Sequence, residues 1–377
     1  MEYAFISHGT AVMANRAISR NRDFEALDDE GIWQIAEPRL CITTQGAFKR
    51  LAREISLENY GIAGRPVHLL VPSAASRSRG RDAEFHVWAG LFPEHAFIRA
   101  HERLFVSSPL FTAIQLALLP RPTKLKHERA AKAIEEERRI RSELGVEDLL
   151  ADERDMLRWE GIARQVDAAR IVSEFSGTYR LPSKMGGRVL YGVAPSMTCA
   201  ALSSFLDGQP AMRGSMKGHA VASLAFDGAA SPMETALALL LTLPVAMGGY
   251  GVVRPELNKA ISLEEGDRAL SSQAEMVADL CWPEEKLIVE YDSWEWHGGA
   301  RSGHLAHDRA RANALTAMGW RVLSVGYEQI SSIQGMNLLA RQVAALLGRD
   351  LEKPDDLRRI WRSRLHTMLM PVSDRLR

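Results

Sequence analysis

At 377 residues the chain is long for one core and suggests two or three domains. Hydrophobic residues at 46%, charged residues at 25% and a formal net charge of zero describe an ordinary soluble globular protein with no global field toward nucleic acid. No apolar run reaches the roughly 18 residues that span a bilayer, and Cys41, Cys199 and Cys281 form no CxxC pair, which disfavours a membrane span, a disulfide scaffold and a zinc ribbon.

The N-terminus, Met1-Glu2-Tyr3-Ala4-Phe5, lacks the basic flank and apolar stretch of a secretory signal, so a reducing cytoplasm is the expected compartment. Residues Met1 to about Ala63 read as short helices with polar loops. Thr44-Gln45-Gly46-Ala47-Phe48 with Leu51, Ala52 and Ile55 has helical spacing, either in a degenerate helix-turn-helix or in a plain helical subdomain. Pro66-Val67-His68-Leu69-Leu70-Val71-Pro72 reads as a buried strand, Ser73 to Gly80 as a Ser/Arg/Gly loop, Glu84 to Trp88 as a second strand and Leu104-Phe105-Val106 as a third. Ser108-Pro109 starts a helix with apolar Leu110, Ile114, Ala117 and Leu118. Lys124 to Leu144 mixes both charges, as in Glu135-Glu136-Glu137-Arg138-Arg139, and predicts a solvated helix supported by pairs three and four apart. Asp148 to Thr178 continues helically, and Arg188 to Ala225 is a mixed stretch.

Ser231-Pro232-Met233-Glu234 begins a helix whose buried stripe is Ala236, Leu239, Leu240 and Leu243, and a capping-box role accounts for Glu234 without any chemistry. Met276 to Cys281 and Lys286 to Asp292 are two strand-like runs around the turn Trp282-Pro283-Glu284-Glu285, which predicts an antiparallel hairpin. Ile288, Glu290 and Asp292 share one face. Pairing Cys281 with Lys286 would set Asp279 opposite Ile288 and diagonal to Glu290, roughly 7–8 Å away. Acids clustered in this way need a cation to offset their repulsion, and hard oxygen ligands suit Mg²⁺ or Mn²⁺. The alternative is an exposed strand face with solvated acids. His297 lies just past the strand end, and after Gly298-Gly299 a helix from about Leu305 to Met318 carries Asp308 and Arg311 three apart, closed by Gly319. Trp320 to Val325 reads as a further strand and Met336 to Leu347 as a closing helix.

Ser231-Pro232-x-Glu234, Val277-Ala278-Asp279, Ile288-Val289-Glu290-Tyr291-Asp292, His297, Asp308-x-x-Arg311, Leu315, Gly319 and Arg321-Val322-Leu323 together resemble the very-short-patch-repair-like endonuclease domains of the PD-(D/E)XK superfamily over about 120 residues. The resemblance implies a central mixed sheet flanked by helices and a divalent metal, Mg²⁺ or Mn²⁺, held by Asp279 and Glu290 with Glu234 contributing from the first helix. The lysine often found two residues after the glutamate is replaced here by Asp292, which makes His297 the proton acceptor and leaves Arg311, oriented by Asp308, to hold a phosphate. Lys286 could also share the acidic face. A looser likeness covers Pro66 to Pro120, where the strand, the Arg-rich loop, His86 and Val106-Ser107-Ser108-Pro109 are similar to the region after the winged helix of AbiEi-type antitoxins.

The expected class is therefore mixed α/β: an α+β region at 1–120, a helical or mixed connecting region at 121–230, a restriction-endonuclease-like mixed sheet flanked by helices at 231–349, and a basic helix or tail at 350–377. The expected activity is metal-dependent DNA cleavage in phage defence or mobile-element biology, with DNA as partner and no membrane. The alternatives are a regulator that keeps the nuclease fold for binding only, and an assembly or partner-protein role resting on the charged helix. Charge bears on that choice: Ser231 to Arg349 holds 10 Lys and Arg against 14 Asp and Glu. Phosphate contacts would have to come from the tail with Arg358, Arg359, Arg362 and Arg364, from the N-terminal half, or from a few placed arginines.

Overall fold

The computed structural model describes residues 2–18, 41–64, 66–74, 78, 80–88, 92–93, 95–119, 127–146, 153–184, 186–208, 215–262, 275–292 and 313–370. The fold is mixed α/β, with helices around mixed sheets. The chain divides into two compact units: residues 1–120 with 164–225 and 375–377, and residues 121–163 with 226–374. The stretch expected as one connecting region, 121–230, is thus shared between the units, and residues 350–374 of the expected tail fall in the second.

The first unit is built on β1 (Ala4–Ile6), β2 (Val67–Val71), β3 (Ala83–Val87), β4 (Phe97–His101) and β5 (Leu104–Ser107), in the order β3-β2-β1-β5-β4. β1 runs parallel to β5 and antiparallel to β2, while β2 and β3 are parallel. The sequence reading put only helices and loops before Ala63, yet β1 is the central strand. Three residues are too few for a period to show, and all three are buried. The alternation along these strands divides two cores. Ala4, Ile6, Val67, Leu69, Val71, Ala83 and Phe85 pack with Phe48 and Leu51 on one face. Phe5 and Leu70 pack with Phe92, Phe97, Phe105 and Phe111 on the other.

Helix α1 (His8–Ile18) follows β1 directly, and α2 (Gln45–Glu54) is capped by Thr44, which accepts a hydrogen bond from the Ala47 N–H at 3.1 Å. Helix α3 (Pro109–Ala117) starts as the sequence predicts, with Ser108 as cap and Pro109 in the first turn. Buried Glu174 takes both arms of the Arg16 guanidinium, at 2.6 and 2.8 Å, and accepts the Leu181 N–H at 3.0 Å. That buried pair is one of the links that join Arg164 to Ala225, which carries the short strands β6 (Tyr179–Arg180) and β7 (Leu190–Tyr191), to the N-terminal sheet.

In the second unit, α4 (His127–Leu144) departs from the solvated helix expected. Glu137, Ile140 and Arg141 are buried, with Glu137 bound to both Arg141 and Arg364. The basic tail forms α5 (Asp356–Leu369), which buries Ile360, Trp361, Leu365 and Leu369. Arg362 is held inside the unit, donating to the Gly249 carbonyl at 2.9 Å and lying over the Tyr250 ring, whereas Arg358 and Arg359 make exposed pairs with Asp355 and Asp356. Gly248, at φ 91°, lets the neighbouring loop approach so closely that a Cβ there would lie 2.7 Å from the Trp361 backbone.

The helix at Pro232–Thr242 is capped by Ser231 as expected, but it is buried all round from Met233 to Leu241 rather than along a stripe. It lies against a four-stranded sheet in the order β11-β10-β9-β8, formed by β8 (Glu256–Ser262), β9 (Glu275–Trp282), β10 (Leu287–Asp292) and β11 (Arg321–Gly326). β8, β9 and β10 form an antiparallel meander, and β11 is parallel to β10. Helical residues 313–317 and Gly319 at φ 81° precede β11, and Ile333–Leu346 forms the closing helix.

Candidate functional site

The hairpin register decides how the carboxylates meet. Leu287 pairs with Trp282, Ile288 with Cys281 and Val289 with Leu280. This is two residues away from the expected register. Pro283, which has no N–H to give, ends β9 after Trp282, and Lys286 closes the turn at φ 47° with its N–H on the Pro283 carbonyl at 3.2 Å. Because strand faces alternate every residue, a slip of two preserves the face but changes the neighbour. Continued one step past its last pair, Val289 with Leu280, this register would set Asp279 opposite Glu290 instead of diagonal to it.

The same rung continues across the sheet. Asn258 lies opposite Asp279 in the β8–β9 register, and Glu290 pairs with Ser324 on β11. Asn258 breaks the ladder at φ 48° and turns its amide to Glu234, donating to Oε2 at 2.6 Å and to the Gly228 carbonyl at 3.0 Å. Glu234 also accepts the Ala230 N–H at 2.8 Å. Burial pushes its carboxyl above the ordinary range, and hydrogen bonds from Ala230, Asn258 and Ser231 pull it back. Glu234 thus reaches the rung through Asn258. Asp279 Oδ2 accepts the Tyr291 N–H at 2.7 Å, which fixes that carboxylate across the hairpin.

Glu290 is half-buried and Asp292, two residues along the same face, is exposed. Glu234, Asp279, Glu290 and Asp292 do not bring three oxygens within 4.8 Å of one another. Lys286 is not on this face: its Nζ donates to the Met318 carbonyl at 3.0 Å. His297, Asp308 and Arg311 lie outside the described residues. Burial pushes the thiols of Cys41 and Cys281 up to about 11, with Glu256 adding to the rise at Cys281, so neither is a thiolate at neutral pH.

A second constellation, in the first unit, was missed by the sequence reading. Among the described residues, His68, Glu84 and His86 are the group of three metal-capable side chains whose donor atoms all lie within 4.8 Å of one another. His68 pairs with Glu84 across the parallel β2–β3 ladder, and Glu84 and His86 are two apart on β3, so all three share one face. His68 Nδ1 lies 2.7 Å from His86 Nε2, and Glu84 Oε1 lies 3.9 Å from the same nitrogen. His8 stacks on His86 with ring centroids 3.8 Å apart. A histidine inside the apolar run Val67–Val71, and Glu84-x-His86 on one strand face, are the signals that were available.

No family model and no solved structure matches the chain. Two uncharacterized proteins, from two strains of Mycobacterium tuberculosis, are each 25% identical to it over 160 residues. The match covers 42% of this chain and 51% of each relative, so the chain spans about half the length of the curated relatives it matches.

Proposed function

We propose that the chain is a metal-dependent DNA endonuclease with its hydrolytic centre at the Asp279–Glu290 rung. The observation that carries this reading is the Asp279 carboxylate held by the Tyr291 N–H, which ties one acid to the backbone of the strand that carries Glu290. That donor set fits Mg²⁺ or Mn²⁺, since Mg²⁺ is commonly held by one or two carboxylates plus water and substrate phosphate. A cation bound there would lower the pKa of a water and offset charge on the scissile phosphate.

The chain's own residues hold the geometry. Asp279 and Glu290 are the ligands, while Glu234 braces the rung through Asn258. Asp292 extends the acidic face, and the likeness to very-short-patch-repair-like domains assigns proton acceptance to His297 and phosphate binding to Arg311 with Asp308. The proposed partner is DNA and the proposed setting the cytoplasm, in phage defence or mobile-element biology. Among the described residues no helix is long and apolar enough to cross a membrane.

Calorimetry with Mn²⁺ and cleavage of supercoiled and linear DNA in Mg²⁺ test the reading. Binding and cleavage should both vanish in Asp279→Asn and Glu290→Gln. Cleavage by either variant at the parental rate would remove the assignment.

One observation favours a second reading, a DNA-binding regulator without cleavage. Asp292 stands where a cationic activator of water would be, while Arg358 and Arg359 stay accessible to phosphates beside the acids Asp355 and Asp356. Under this reading DNA binds, Mn²⁺ does not, and no cleavage is seen.

A further inference from the structure

We infer that the first unit carries a transition-metal site, with His68, His86 and Glu84 as ligands for Zn²⁺ and His8 as a positioning residue behind His86. The site is independent of the nuclease reading and shares no residue with it.

The argument starts from the sheet. His68, Glu84 and His86 occupy three neighbouring positions of the parallel β2–β3 pair, so the backbone register, not a choice of rotamers, brings them together. Two imidazoles and one carboxylate are the ligands that Zn²⁺ takes, commonly with a fourth position left to water. They are poor for Mg²⁺, which prefers oxygen throughout. Around a tetrahedral ion with Zn–N of about 2.0–2.1 Å the two nitrogens would stand about 3.3 Å apart. The present 2.7 Å separation therefore needs a small parting of the rings. Glu84, at the edge strand with its side chain 52% exposed, gives the ion a way in.

His8 supplies the independent observation. It is buried and held at φ 50°, a backbone state that non-glycine residues seldom adopt. A chain of hydrogen bonds maintains that state: the His8 N–H donates to Gln115 Oε1 at 2.9 Å, Gln115 Nε2 donates to Ser107 Oγ at 2.9 Å, and Ser107 Oγ donates to the Ile6 carbonyl at 2.9 Å. Its Nδ1 lies 3.0 Å from Ser7 Oγ, and the ring covers the face of His86. The fold thus spends a strained residue on orienting a second imidazole.

Zn²⁺ titrated into the metal-free full chain, with competition by a chromophoric chelator, tests the site. One equivalent should bind, and excess Mg²⁺ should not displace it. His68→Ala and His86→Ala should each weaken affinity by about a hundredfold or more, and Glu84→Gln by about tenfold. His8→Ala should weaken it by about tenfold, and His8→Phe, which keeps a stacked ring, should restore most of the loss. Removing His68 could disturb β2, so Glu84→Gln at the exposed edge and the visible absorption of Co²⁺ bound to the unaltered chain give readouts that need no buried substitution. Tetrahedral Co²⁺ absorption is the expected result. No Zn²⁺ uptake, uptake unchanged in His68→Ala and His86→Ala, or uptake lost in Asp279→Asn with Glu290→Gln would each overturn the site; the first outcome leaves a hydrogen-bonded histidine pair only.

Discussion

Each unit sets titratable side chains on adjacent strands of a mixed sheet, but the two sheets differ in what they bring together. In the first, two imidazoles and a carboxylate converge, and a third imidazole stacks on them. In the second, Asp279 is tied to the strand of Glu290 through the Tyr291 N–H, while a third acid, Glu234, is bound to Asn258. The difference is electrostatic. Neutral imidazoles can touch without penalty, whereas carboxylates crowded without a cation repel one another and shift their pKa values. A close group of acids therefore needs a cation to offset its repulsion, whereas the imidazole group does not.

The largest test of this contrast crosses the two sites. Asp279→Asn should reduce Mg²⁺-dependent cleavage by about a thousandfold or more, on the order of 4 kcal/mol of barrier, and leave Zn²⁺ uptake intact. His86→Ala should do the reverse. A substitution that removes both properties would mean that the two sites are one system.

The next largest effect concerns the acid each unit buries for packing. Glu174 serves Arg16 and the Leu181 N–H, and Glu137 serves Arg141 and Arg364. Either Glu→Ala change leaves buried guanidinium groups unpaired and should cost about 3–5 kcal/mol in urea unfolding. Hydrogen exchange would locate each loss: Glu174→Ala should expose amides of the first unit, and Glu137→Ala those of the second. A loss spread evenly over the chain would show that the units unfold together.

The mixed α/β class and most strands of both sheets were legible because runs such as Val67–Val71 and Leu287–Val289 are apolar and bounded by prolines or turns. β1, β4 and β8 were not: β1 because three residues carry no period, and β4 and β8 because their patterns are mostly polar or half-exposed. The acid row was half legible. Alternation gave the right face, but loop length gave a register wrong by two, since the left-handed conformation of Lys286 is not written in a propensity. The basic residues near the C-terminus read as one source of phosphate contacts, and only tertiary packing shows Arg362 and Arg364 buried. The histidine group was overlooked because its members come from two strands whose parallel pairing cannot be inferred from spacing.

Acidification should separate the units more gently. The folded state depresses His8 from 6.5 to about 2 and lowers His68. Below 6.5 the unfolded chain therefore binds protons that the folded chain refuses. The contribution is fully present above that pH and is lost as pH falls, by up to about 1.4 kcal/mol per unit for each group. Glu234 runs the other way: its raised folded pKa is a penalty at neutral pH that is relieved as pH falls through that value. Exchange protection of β2 and β3 should thus decline between pH 6.5 and 5 while that of the Pro232–Thr242 helix holds. Undiminished protection of β2 and β3 at pH 5 would deny that His8 is buried and neutral.

The smallest effect falls on Glu234, and it decides how far the carboxylate row extends. Its oxygens already accept the Ala230 N–H and the Asn258 amide. A positioning role predicts that Glu234→Gln, which keeps an acceptor for Ala230, costs about 1 kcal/mol of stability and less than about tenfold in cleavage. Mn²⁺ affinity should be unchanged, because the ligands remain Asp279 and Glu290. If instead Glu234→Gln loses Mn²⁺ binding as completely as Asp279→Asn does, the carboxylate must leave Asn258 when the cation arrives. Asn258→Ala separates the two cases: it should impair cleavage if the asparagine holds the row in place, and enhance Mn²⁺ affinity if the asparagine only withholds a third ligand.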